Sequence, residues 1–590
     1  MKLLCKGKLR FLFATATSVV ALIGLGVVVL PLASCSNNSM VSNPADTIFV
    51  GGPIITVTNA MPEAQALAVK NGMIVAVGER ASVVNSWQGP NTTVVDLAGK
   101  TLMPGFVEAH MHYAATVMDM KLMAVDVSSF VPPLDGTNSL DVLVRKLTAA
   151  VPNVGPNQWL TAWGYDPSYS LPLYSAPTAT ILDSVSNDIP IFVISESGHQ
   201  AWVNHKAFTL AGITDSTPNP EGGVYVKDSD KHLTGELQQP ASYRAFSKLM
   251  PAPSPEAIAE GMMWVAKTAA SAGITTTGDM LTGTNFGVDA EVGLLKALAA
   301  DPSTPVRIFS YLDGVMATGT LPVQPNEGND RLRFLGIKFS ADGSPQAMEA
   351  AVSQPYLYPD GTTNKGFTDY ADAPTLLAAV QPFFNKGWQL AFHANGDVAI
   401  DQVLDVATTL LAGLPDPSVK RMRIEHFTLA RPDQITRAKQ LGMTPNLTIG
   451  HTYFWGQVLS QTCLGSERAA KVDPLRSVLD AGMKMALNSD WYFMPAIPLR
   501  CMQNAVTRMW QWLPQQVLGA DERITVDEAI RAVTIGPAYQ LFMDDKIGTL
   551  EVGKYADLVV LAQNPRTIDT SQLMNITVVG TYLAGVKQTN

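Results

Sequence analysis

Eight short apolar runs with helical stretches between them constrain this chain more than any other feature of its sequence. They are Leu102 to Val107, Gly273 to Thr277, Val306 to Tyr311, Phe334 to Phe339, Trp388 to Phe392, Arg421 to Ile424, Met443 to Leu447 and Lys484 to Leu487. Strands alternating with helices predict a parallel sheet, and eight is the number that closes a βα barrel. The expected fold class is therefore α/β, a (β/α)8 TIM barrel over residues 102–546. The stretch from about residue 115 to 255 is too long for one connection and has strands of its own, Trp159 to Trp163 and Ile189 to Ile194. It reads as an insertion over the barrel mouth, where substrate loops belong.

The two chain ends read as one further domain. Thr47 to Val57 is strand-like, and Ala66 to Lys70 and Met73 to Val77 flank Asn71-Gly72, a strong hairpin signal. Far along the chain come Leu558 to Leu561, then Val578 to Tyr582 before a turn at Ala584-Gly585. Neither end has enough strands to bury two faces, so residues 46–101 and 547–590 predict a composite β-sandwich beside the barrel.

At the N-terminus, Lys2, Lys6, Lys8 and Arg10 precede an uncharged apolar run from Phe11 to Leu32. Leu32-Ala33-Ser34-Cys35 resembles a bacterial lipobox. Residues 1–34 are expected to be a lipoprotein signal peptide, Cys35 a lipidated N-terminus and residues 35–45 a polar linker. That reading implies a membrane partner through the lipid and a place in the cell envelope, at an outer membrane or cell surface rather than an inner one. A simple membrane-anchoring helix is the alternative. Lys and Arg number 41 against 51 Asp and Glu, net −10, with no basic run beyond residue 10, which argues against a nucleic-acid partner. Of the four cysteines, Cys463 and Cys501 lie in the folded region, and sequence leaves open whether they meet.

Only eight histidines are present, so their positions carry information. The first run ends in His110-Met111-His112, and residues two apart on a strand face the same way. Alone, such a pair is as readily a surface or core feature as a metal site. Later runs shift the balance. Lys338 sits inside an apolar strand that ends in Ser340-Ala341-Asp342, a costly place for an unpaired charge. The next runs end in His393-Ala394-Asn395, Glu425-His426 and Asn488-Ser489-Asp490. Each delivers a ligand-type side chain to the C-terminal end of a strand, the catalytic face of such a barrel.

These motifs together resemble the amidohydrolase superfamily, specifically its third amidohydrolase family, which includes N-substituted formamide deformylases. Other matching elements are Ser197-Gly198-His199, Pro220-Glu221-Gly222-Gly223, Thr234-Gly235-Glu236, Arg423-Ile424-Glu425-His426 and the late Gly553-Lys554-Tyr555-Ala556-Asp557. The resemblance implies two divalent metal ions, usually zinc, with His110, His112 and Asp490 on one and His393 and His426 on the other. Lys338, carboxylated by CO2, would bridge them; a lysine paired with Asp342 beside a single metal is the alternative. Asp490 would carry a proton from water to the leaving amine, and His199 would orient the substrate carbonyl. His451 and Trp491 are weaker candidates for substrate contact, and His205 and His232 have no supporting pattern. The implied activity is hydrolysis of a non-peptide carbon–nitrogen bond in a small-molecule substrate. A deaminase or a lactonase/esterase on the same site remains open, as do an inactive surface binding protein and a homo-oligomer.

Overall fold

The eight apolar runs become eight parallel strands in sequential order, each paired with the next. They are β1 (Phe106–Met111), β2 (Ile274–Thr282), β3 (Arg307–Asp313), β4 (Leu332–Ser340), β5 (Gln389–Ala394), β6 (Arg423–His426), β7 (Thr444–Leu447) and β8 (Ala486–Leu487). The ring closes where the His112 N–H donates to the Trp491 carbonyl at 2.7 Å and Met111 bridges to Trp491. The chain is thus a TIM barrel with added β structure. The computed structural model describes residues 43–128, 140–169, 175–220, 223–358, 361–511 and 513–588. The expected signal peptide, Cys35 and most of the linker lie outside the described residues, as do Glu221 and Gly222. Among the described residues no helix is long and apolar enough to cross a membrane.

The first run is not one strand but parts of two. Thr101–Pro104 pairs antiparallel with Leu558–Leu561 in the terminal sheet, and only Phe106 onward belongs to the barrel. Gly105 is the hinge: a Cβ there would lie 2.4 Å from the Thr275 side chain, so only glycine lets the chain cross this closely. Helices follow the strands by ordinary local rules. In Pro255–Ser271, Ser254 caps the Ala257 N–H, Pro255 opens the helix and Glu256 sits in the first turn. Its buried stripe, Met262, Val265, Ala266, Ala269 and Ala270, has helical spacing and faces the barrel core.

Both chain ends join one eight-stranded sheet. Its order runs Val586–Gln588, Val578–Leu583, Leu558–Leu561, Thr101–Pro104, Thr47–Ile55, Glu63–Lys70 and Met73–Gly78, with Thr93–Asp96 beside Thr47–Ile55. Phe49 and Tyr582 stand three strands apart, about 14 Å on a flat sheet. Their rings nevertheless meet edge to face at 5.2 Å, so this one continuous sheet curls over its own core. The hairpin at Asn71-Gly72 has φ of 49° and 77°, the two left-handed residues a type I′ turn requires. The long stretch between β1 and β2 forms a separate six-stranded sheet, from Val224–Lys227 to Val125–Asp126, whose core includes Leu143, Leu160, Ile191, Val193 and Trp202.

Asp557, the last residue of the Gly-Lys-Tyr-Ala-Asp segment, fastens the terminal domain to the barrel floor. It accepts from Arg307 Nε at 2.7 Å and Nη2 at 3.0 Å, and from the Ala584 N–H at 2.8 Å. The Tyr555 ring stacks 4.0 Å from the same guanidinium. Asp557→Ala would leave this buried charge without its carboxylate. We expect a loss of about 3–5 kcal/mol in denaturant unfolding. A loss below about 1 kcal/mol would show that Tyr555 and the backbone suffice to hold Arg307.

Candidate metal centre

The barrel delivers six of the expected side chains to one cavity of about 180 Å³ at its C-terminal mouth: His110, His112, Lys338, His393, His426 and Asp490. Position follows from strand alternation. His110 and His112 share a face at the end of β1, and Lys338, two residues before the end of β4, points inward with them. His426 and Asp490 adopt φ of 71° and 53°. Such left-handed backbone costs on the order of 1–3 kcal/mol in a residue with a side chain and persists where the surroundings impose it. Here it turns both side chains from the strand ends back into the cavity.

Hydrogen bonds fix which ring nitrogens are bare. Glu425, fully buried, accepts from His110 Nδ1 at 2.6 Å, so His110 Nε2 carries the lone pair. That nitrogen lies 3.1 Å from Asp490 Oδ1. His426 donates from Nδ1 to Thr448 Oγ1 at 2.7 Å, and Thr448 passes its own hydrogen to Asn488 Oδ1 at 2.9 Å. His426 Nε2 is then a buried lone pair with no partner. His112 Nε2 lies 2.9 Å from the same Asp490 oxygen. His393 Nε2 faces Asn395 Nδ2 at 3.0 Å, and its ring stands 4.3 Å from that of His426.

The electrostatics match. Burial foremost pushes His112 down to about 4 and holds His393 and His426 well below the ordinary imidazole range. Burial alone would raise the Asp490 carboxyl, but His110, His112 and His426 around it hold it well below the usual carboxylate value. Converging neutral imidazoles and an ionised carboxylate are the donor set of a divalent cation site. The residues therefore fit the metal the sequence reading implies. One ligand atom from each of His110, His426 and Asp490 falls within 4.8 Å of the others. His426 thus lies close to His110 and Asp490 as well as to His393.

Lys338 points its Nζ at His110 Nε2, 3.5 Å away, and burial lowers its pKa. It makes no ion pair with Asp342 among the described residues. Asp342 instead accepts backbone N–H groups from Asn395, Gly396 and Ala351 and shapes the turn after β5.

Groups that escaped the sequence reading hold this arrangement. Glu425 is clamped by Arg423 through Nε at 2.7 Å and Nη2 at 2.9 Å, and by Asn446 Nδ2 at 2.9 Å. Against the effect of burial, Arg423 and His110 bring its carboxyl down to about 2. Glu108 accepts the Ser489 N–H at 3.1 Å and its hydroxyl at 2.8 Å, which sets Asp490 beside His110. A charged residue inside an apolar strand was the available signal for both, the one that singled out Lys338.

The remaining expected residues divide. His199 lines the cavity, half-buried, with Nδ1 3.2 Å from Gln239 Oε1. His451 lines it too, its Nδ1 3.4 Å from Asp473. Trp491 does not. Its indole donates to Met120 Sδ at 3.2 Å and packs against Trp264, while Phe493 and Met494 take the lining positions. The next residues turn back toward the cavity because Asp490 is left-handed and Trp491 is spent on closing the barrel. His205 and His232 pair at the surface with Asp183 and Asp215. Cys463 and Cys501 are both buried and are not joined to each other by a disulfide.

A family model described as "Amidohydrolase family" matches residues 93–587. Protein LONG AFTER FAR-RED 3 of Arabidopsis thaliana is 28% identical over 555 residues, covering 92% of this chain and 91% of that protein. N-substituted formamide deformylase of Arthrobacter pascens is also 28% identical, covering 92% of this chain and 98% of that protein. An uncharacterized metal-dependent hydrolase from Pyrococcus horikoshii OT3 has the same fold, with a TM-score of 0.68 at 22% identity over 89% of this chain and 99% of that one.

Proposed function

Because this chain belongs to the amidohydrolase family, we propose that it cleaves an N-substituted formamide or a similar small amide into a carboxylic acid and an amine. The observation that carries this reading is the buried set of His110, His112, His426 and Asp490 at the mouth of the barrel, in which ligand atoms of His110, His426 and Asp490 lie within 4.8 Å of one another. The deformylase named above supports the choice of substrate.

His110, His112, Asp490, His393 and His426 would hold one or two divalent metal ions. When bound, such ions supply a Lewis acid that makes water more acidic and draws electrons from a carbonyl oxygen. Water attacks the carbonyl carbon, and Asp490, held as a carboxylate, takes its proton. The same proton passes to the amide nitrogen as the C–N bond breaks, so the amine leaves neutral. With Gln239 Oε1 as its acceptor, His199 carries a proton on Nδ1, leaving Nε2 to accept an N–H of the substrate. Leu281, Trp455, Phe493 and Met494 provide apolar wall for the N-substituent and exclude water from it. Lys338, a buried amine with no ion pair among the described residues, is suited to take up CO2 by its nitrogen lone pair and release a proton, becoming an anionic carbamate.

The test combines elemental analysis with a screen of N-alkyl and N-benzyl formamides, amino-acid amides, nucleobases and lactones. We expect about two ions per chain, falling to about one in His393→Ala and Lys338→Ala. Release of amine and formate should be lost on chelation and restored by added metal. Ammonia release from nucleobases, or lactone opening without amide cleavage, would move the assignment to a deaminase or lactonase.

A further inference from the structure

Behind the metal centre lies a second cavity of about 220 Å³, in the angle between the inserted sheet and the barrel mouth. Ser197 and Gln346 line both cavities, so the two adjoin. The wall of the second is acidic. Asp166, Glu196 and Glu236 line it, and no lysine, arginine or histidine does among the described residues.

Glu196 is the unusual member. It is 1% exposed, and neither carboxylate oxygen has a hydrogen-bond partner. Most buried carboxylates in this protein are satisfied: Glu425 by Arg423, Asp342 by three backbone N–H groups, Glu108 by Ser489. An unpartnered buried carboxyl is costly, and natural structures seldom retain one without a use. Its neighbours do not relieve it. Asp166 is occupied by the Trp455 indole at 2.7 Å and by the Ser168 N–H at 2.8 Å, and Glu236 accepts from Gln238 at 2.9 Å. Trp202 and Tyr165 pack edge to face at 5.5 Å in the same wall. An anion entering here would meet three carboxyls, and an apolar group would leave both Glu196 oxygens bare. A cation with several N–H donors satisfies them and finds aromatic faces nearby.

We propose that this second cavity is the subsite for a cationic group of the substrate, an alkylammonium or guanidinium carried a few bonds away from the amide that is cut, with Glu196 as its main partner. The proposal rests on the hydrolase reading of the adjoining centre and narrows it to amides of diamines or of guanidino-amines. The apolar wall at Trp455 and Phe493 would hold the methylene stem, and the acidic cavity its charged end.

The test compares N-(5-aminopentyl)formamide with N-hexylformamide, of equal length, on the metal-loaded full chain. The expected preference in kcat/KM for the cationic compound is at least about 30-fold, since leaving a buried charge unpaired is heavily penalised. In Glu196→Gln that preference should fall below about fivefold, and Glu236→Gln should reduce it in part. Calorimetric binding of 1,5-diaminopentane gives a readout independent of turnover, and Glu196→Gln should abolish it. If neither formamide is cleaved but diaminopentane binds in a Glu196-dependent way, the subsite stands and the hydrolase reading fails. Equal cleavage of both formamides, or a preference and diamine binding unchanged by Glu196→Gln, overturns the subsite and leaves the hydrolase reading intact. Absence of both turnover and diamine binding overturns it as well.

Discussion

Replacing Asp490 by Asn is expected to lower kcat by about 10²–10⁴ while most of the bound metal stays in place. The substitution preserves shape and keeps an oxygen for His110 and His112, which lie 3.1 and 2.9 Å from Oδ1. What it removes is basicity. The imidazoles around Asp490 keep its carboxyl ionised at neutral pH, so it is ready to receive a proton. An amide nitrogen must gain a proton before it can leave, and in the proposed mechanism Asp490 carries one in each direction. Turnover and elemental analysis of the same preparation separate the two roles. Wild-type kcat in the Asn variant would end the proton-carrier assignment. Loss of metal in proportion to activity would make Asp490 a ligand and nothing more.

The second large effect is expected at a residue that touches no substrate. Glu425→Gln should weaken metal binding by about 10–100-fold, because Glu425 fixes the proton on His110 Nδ1 and so presents Nε2. It should also destabilise the metal-free protein by about 3–5 kcal/mol, since fully buried Arg423 loses its counter-charge. Arg423 retains Tyr311 and the Ala109 carbonyl, at 3.0 and 2.9 Å, which are neutral. Competition against a chromophoric chelator measures the first effect, and denaturant unfolding the second. Metal affinity within about twofold of wild type would show that β1 alone sets the His110 ring.

Some of this molecule is written plainly in its sequence. Eight apolar runs mark the barrel because a strand buried on both faces has no polar alternation to disguise it. Lys338, His393, His426 and Asp490 stand out because ionisable groups at apolar strand ends need a reason. Pairing is less visible. Nothing local says that Thr101–Pro104 joins Leu558–Leu561, more than 450 residues later, when Phe106 continues the same apolar run. The grouping of His426 with His110 depends on barrel curvature and on a left-handed residue, neither of which has a side-chain signature. Trp491 follows a ligand and looks like pocket wall, yet its backbone is committed to closure and its indole to Trp264 and Met120. The acidic cavity is harder still, because Glu196 becomes an unpartnered carboxyl only when the inserted sheet settles against the barrel.

The backbone bond between His112 and Trp491 places the last join of the ring at the candidate metal centre itself. During synthesis, His110 and His112 emerge early, and Asp490 follows only after the seven other strands. A ribosome-bound fragment therefore exposes histidines with no carboxylate to complete them, and cannot hold the ion in its final setting. Assembly of the centre and completion of the barrel are one event. A divalent ion bound there would stabilise the closed ring and would add nothing to a fragment that ends before Asp490.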